Sequence, residues 1–205
     1  MKLVLWALAL LFGASALSLT AAPVQAGPIL LVDGGKLIGA NNVDVLGTLY
    51  DVRFVDGTCA SVFSGCDSLS DFLFNDFDSA VAAAAALKNQ VLLDSSEGDF
   101  DSLPALTAGC SFPANCTMEF PYGFWPDGNV KTGSFTNVAG TGGSHGIGTL
   151  RLSEDTAVIG NQVLVRFSLA DTVEVPEPAT LGLFGAGLLG LAAVGRRRRR
   201  ASPNA

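Results

Sequence analysis

Two apolar stretches without a single charge, residues 3–19 and 179–195, constrain this chain more than anything else in it, because they take both ends out of any globular core. At the front, Met1-Lys2 is a minimal charged start, and Val24-Gln25-Ala26 puts small residues where a signal peptidase reads. The expectation is a signal peptide over residues 1–26, cut after Ala26 by signal peptidase. The alternative is an uncleaved N-terminal anchor, since Lys2 is the one charge in residues 1–22, but the Ala- and Pro-containing exit before Gly27 favours cleavage. At the back, the 17 residues 179–195 form a predicted transmembrane helix. At about 1.5 Å per residue they reach only about 25 Å, the short end for crossing a bilayer. Gly182, Ala186 and Gly190 recur every four residues, a face on which helices approach closely. Arg196, Arg197, Arg198, Arg199 and Arg200 follow at once, and the positive-inside rule places them in the cytoplasm.

What remains is a body over residues 27–174, large enough to bury its own core. Between residues 27 and 175 six bases face 18 acids, a formal charge of −12 against −7 for the whole chain. A body this acidic is repelled by nucleic acid and by anionic membrane surfaces, which excludes nucleic acid as a partner. Its four cysteines fall in two local pairs, Cys59/Cys66 and Cys110/Cys116. Behind a secretory signal the expectation is two short-range disulfides. Buried free thiols or a metal site are the rival readings, although zinc would want closer Cys spacing or His partners and His145 is the only histidine.

The body reads as α+β, predominantly β, a sandwich-like or curved sheet with one packed helix near 79–93. Asp33-Gly34-Gly35 is a turn signal, residues 36–40 a short strand and Asn41-Asn42 another turn. In residues 48–55, Tyr50, Val52 and Phe54 alternate with Asp51 and Arg53, the period of a half-buried strand. The helix has Asp76 or Asp78 to cap it, a run of alanines over 82–86, and Ala80, Ala84, Leu87 and Val91 on one apolar face. Residues 130–138, 147–153, 156–159 and 162–169 are further strand candidates, with a flexible glycine loop over 140–148.

Candidate chemistry is sparse. Glu97, Asp99 and Asp101 around Gly98 lack the ordered spacing of a calcium loop, so a solvated acidic loop is the favoured reading. Ser144-His145 adjoin, but with no nucleophile elbow they are read as surface residues. No phosphate-cradling loop appears, since Gly140-Thr141-Gly142-Gly143 lacks the Lys-Ser/Thr of a P-loop. No catalytic residue, metal or cofactor is predicted. The densest aromatic stretch, residues 120–128, holds Tyr122, Phe124 and Trp125 among prolines and glycines. Rings on a rigid loop can stack on sugar faces, which makes these three the candidate glycan contact; the plainer reading is a loop tucked over the core.

The tail carries the one specific likeness. Val175-Pro176-Glu177-Pro178-Ala179-Thr180, then the apolar span, then the arginine cluster over 196–200, resemble in that order the PEP-CTERM sorting signal of Gram-negative bacteria. The resemblance covers residues 175–200. It implies a sorting role for Pro176, Glu177 and Pro178 and processing by exosortase, an integral-membrane transpeptidase-like enzyme. It also implies association with exopolysaccharide, biofilm and extracellular matrix. The implied route runs from transient inner-membrane anchoring, with the body in the periplasm, to the cell surface or beyond. It implies no activity for the body. Physically, the two prolines around Glu177 hold the segment extended and keep it out of the membrane helix, a form that a processing enzyme can grip.

Overall fold

The computed structural model describes residues 27–171. The expected signal peptide, the motif at 175–180, the span and the arginine cluster lie outside the described residues. Among the described residues no helix is long and apolar enough to cross a membrane.

The elements in chain order are β1 (Ile29–Asp33), β2 (Lys36–Val45), β3 (Thr48–Val55), a single-turn α1 (Cys59–Val62), α2 (Phe77–Ala86), the short hairpin β4 (Asp94–Ser95) and β5 (Gly98–Asp99), then β6 (Asn115–Phe124), β7 (Val130–Val138), β8 (Ser144–Leu150) and β9 (Gln162–Leu169). Seven strands make one sheet in the order β1-β2-β3-β9-β6-β7-β8. Every neighbouring pair is antiparallel except β6 and β9, which run parallel after the chain has passed through β7 and β8. Among the described residues the fold is therefore mainly β with one α-helix of more than a turn, and the strands form one main sheet rather than two facing ones.

Helix α2 lies where the alanine pattern predicts it. Asp76 caps it, accepting from the Ser79 N–H at 2.9 Å, and a π-helical turn (Leu87–Val91) extends it. Ala80, Ala84, Leu87 and Val91 are fully buried. They pack with Val43, Val52, Met118, Phe120, Phe135 and Val165 from the sheet to make the main core. Tyr50, Phe74, Phe120 and Phe167 interlock in it, mostly edge to face, with ring centroids 5.0–6.3 Å apart. On the opposite face a smaller cluster joins Val130, Leu150 and Leu164 to Phe72 and the Cys59–Cys66 loop.

Four expectations change. Asn41-Asn42 is not a turn: β2 runs straight through it, and Asn42 takes a φ of 58° at a register shift between Ala40 and Val43. The reversal comes instead at Leu46-Gly47. Residues 144–148 are strand rather than loop, because β8 pairs with β7 all the way from Ser144 to Leu150. Thr156–Val158 is a 3-10 turn capped by Asp155, not a strand. The aromatic stretch is loop only from Trp125 onward. Residues 120–124 are the second half of β6, next to the middle of the sheet.

Candidate functional site

The aromatic stretch is set by the pleat of β6. Cys116, Met118, Phe120 and Tyr122 all belong to the main core, every second residue on the helix side of the sheet. Pro121 cannot donate to a ladder, and the strand accommodates it next to a register shift between Pro121 and Gly123. Past that shift Phe124 joins the other face, stacked against Phe72 at 5.2 Å. Tyr122 thus packs into the main core and Phe124 against the smaller cluster. Tyr122 is buried, and burial pushes its phenol above the usual range.

Trp125 opens the turn to β7: its backbone N–H donates to the Asn129 carbonyl at 2.8 Å, and the Gly128 N–H donates to the Trp125 carbonyl at 3.0 Å. Lys131, on β7 across from Gly123, lays its ammonium 4.7 Å from the Trp125 ring centroid. The indole N–H of Trp125 is buried without an acceptor among the described residues. Beside these groups is an open hollow of about 540 Å³. Tyr122, Phe124 and Trp125 line it together with Leu69, Phe77, Ile147, Asn75, Asp76 and Lys131. Phe77 is 54 % exposed, so part of the apolar lining is open to solvent. Asp76 remains ionised on its wall, held below the usual carboxylate range first by the Ser79 hydroxyl and then by the Ser79 N–H.

One buried carboxylate of the body lies outside the sequence candidates. Glu119, on β6 between Met118 and Phe120, points to the face opposite α2 and is only 6 % exposed. Gln162 Nε2 donates to its Oε2 at 2.6 Å and Thr132 Oγ1 to its Oε1 at 3.3 Å. No cation partners it among the described residues. Burial above all, with a smaller push from Glu154, raises its pKa to about 7 against the lowering effect of the two hydrogen bonds. Gly148 of β8 makes room for it, since a Cβ there would lie 2.5 Å from Glu119 Oε1. The signal in the sequence is the alternation of apolar residues over 116–122 with Glu119 out of phase, broken up for the eye by Pro121 and Gly123.

The other candidates have structural placements. Cys59–Cys66 and Cys110–Cys116 form disulfides with Cα separations of 5.7 and 5.9 Å, and all four sulfurs belong to buried residues. In the acidic segment Asp94 accepts from Asp101 N–H, Ser102 N–H and the Ser102 hydroxyl, which ties the β4–β5 hairpin to the chain that follows. Among the described residues no group of three His, Cys, Asp or Glu side chains is placed to hold a metal. Ser144 and His145 are neighbours along an edge strand, both exposed, opposite Thr136 and Phe135.

Comparison with known families places the PEP-CTERM protein-sorting motif on residues 174–200. No curated protein and no solved structure matches the chain.

Proposed function

We propose that this chain, which carries a PEP-CTERM sorting motif at its C-terminus, is an exosortase substrate whose body has a structural or interaction role at the cell surface or in the extracellular matrix, linked to exopolysaccharide or biofilm. The motif match at residues 174–200 carries the reading, and the order of motif, apolar span and arginines within it supports it. The acidic, disulfide-bonded body suits an exported protein, and we assign it no catalytic role. Mass spectrometry of both ends of the mature protein tests the route. The expected result is an N-terminus at Gly27 and loss of the span and arginines; surface-released protein that still carries residues 196–200 sinks the processing step.

A second reading makes the body a glycan-binding module. The hollow beside Trp125 supports it, since it combines ring faces with hydrogen-bonding groups from Asn75, Asp76 and Tyr122. Retention on the producer's own exopolysaccharide, compared between the body and its Trp125→Ala variant, is the measurement; equal retention argues against the aromatic site.

A further inference from the structure

Four rings line the hollow beside Trp125, and they are unequally free to meet a ligand. Tyr122 is buried in the main core. Phe124 packs on Phe72, with centroids 5.2 Å apart. Trp125 has the Lys131 ammonium 4.7 Å from its ring centroid, which occupies one of its faces, and its indole nitrogen is buried. Phe77 is the exposed one, and it is also the best fixed in place. It is the first residue of α2, directly after the cap Asp76, so its backbone is set by the helix. The two residues before it are polar and exposed. Asp76 takes the Ser79 N–H at 2.9 Å on one oxygen and the Ser79 hydroxyl at 2.6 Å on the other, which holds the carboxylate ionised and oriented. Each oxygen still has a lone pair to offer. The Asn75 side-chain amide has no partner among the described residues.

We propose that Phe77, and not Trp125, is the stacking platform of the hollow, and that its ligand is a neutral sugar unit whose hydroxyls are held by Asn75 and Asp76. This rests on the glycan-binding reading and names its ring and its ligand class. An amide, a fixed carboxylate and an open ring on three consecutive residues match what a pyranose offers. One face of the sugar is C–H groups, which suit the negative face of an aromatic ring, and its rim is hydroxyls. A wholly apolar ligand would instead desolvate Asn75 and Asp76 without replacing their hydrogen bonds. Charge narrows the class further. Asp76 and Lys131 are the only charged residues in the lining, one of each sign, so the hollow offers no excess of positive charge. It is set in a body at −12, which repels a polyanion. Trp125 and Lys131 then brace the wall, and the ligand is read from the start of α2.

The test is affinity electrophoresis of the body over residues 27–171, whose two cores are built from its own residues and which lacks the arginine cluster that would itself bind an acidic polymer. The gels contain the producer's own exopolysaccharide, either native or with its carboxyl groups reduced to alcohols. The wild type should be retarded equally by both polymers. Phe77→Ala should weaken retention about tenfold, Phe77→Tyr should keep it, and Trp125→Ala should weaken it by no more than about threefold. Retention that disappears on carboxyl reduction overturns the neutral class. Retention lost in Trp125→Ala and kept in Phe77→Ala overturns the platform. Either result leaves glycan binding itself standing, whereas a wild type retarded by neither polymer removes both. Hydrogen exchange on the wild type decides the matter if Phe77→Ala fails to fold. Amides at the start of α2 should gain protection with the reduced polymer; protection confined to the turn from Trp125 to Lys131 overturns the assignment.

Discussion

Glu119 shows how one residue can set the pH response of the body. Its carboxyl is enclosed by β7, β8 and β9, receives two side-chain hydrogen bonds and has no cation beside it among the described residues, so ionising it in place is costly. Its pKa rises from 4.5 to about 7 on folding. Because the folded state holds the proton more tightly, this residue's contribution to stability is complete below pH 4.5 and is lost as pH rises through about 7. A shift of that size corresponds to about 3 kcal/mol. Thermal melts of the body should therefore lose stability between pH 5 and 8, and Glu119→Gln should remove most of that slope. The variant should also be the more stable protein at pH 8. Parallel curves for the two proteins would mean that Glu119 is solvated in solution.

At the level of elements, the contact between α2 and the sheet depends on close approach. The narrow alanine face brings the Ala80 carbonyl so near β7 that a Cβ at Gly133 would lie 3.0 Å from it and 2.5 Å from the Phe120 ring. Gly133→Ala should cost about 1–3 kcal/mol by urea denaturation, as overpacking does. Gly146→Ala, on β8 with nothing within 4 Å of the added carbon, should be close to neutral. The disulfides work by another route. Each closes a short loop, with sequence separations of 7 and 6, for which chain entropy gives about 2–3 kcal/mol. Replacing Cys59 and Cys66 by Ala should cost that much and loosen the cluster around Phe72 and Leu164, read as faster hydrogen exchange in β9.

Much of this layer is legible in the chain. The period of two in residues 48–55 and 162–169 marks β3 and β9, and the alanine face marks α2, because each presents one regular side to one core. The strand most central to the candidate site is not legible. In β6, Pro121 and Gly123 read as loop punctuation, and only the register shift against β7 shows how the pleat continues past them. Asn41-Asn42 misleads in the same way: a residue that favours positive φ reads as a turn, yet it serves a bulge inside β2. Nor does spacing reveal the partners of Glu119, since Thr132 and Gln162 reach it only through a sheet order that sets β6 between β9 and β7. The hollow beside Trp125 is hidden for a related reason, because Leu69, Phe77 and Ile147 come from three separate segments.

At the scale of the whole molecule, the sorting motif follows β9 closely along the chain. The last described strand ends at Leu169, and the Ala170 N–H still donates to the Leu49 carbonyl at 3.0 Å, while the matched motif begins at residue 174. Both described cores are built wholly from residues before that point. Loss of the tail by processing should then leave the folding energy of the body unchanged: protein cut at the motif and the uncut precursor, compared in the same detergent, should melt at the same temperature. What must change is charge. The full chain carries −7, whereas residues 27–175 alone carry −12, because the arginine cluster leaves with the span. Released protein should therefore bind an anion exchanger more strongly than the precursor and elute at higher salt. A drop in melting temperature on processing would show that the tail completes the core. Unchanged elution would show that Arg196–Arg200 stay attached, and that the acidic body is never freed from its basic counterweight.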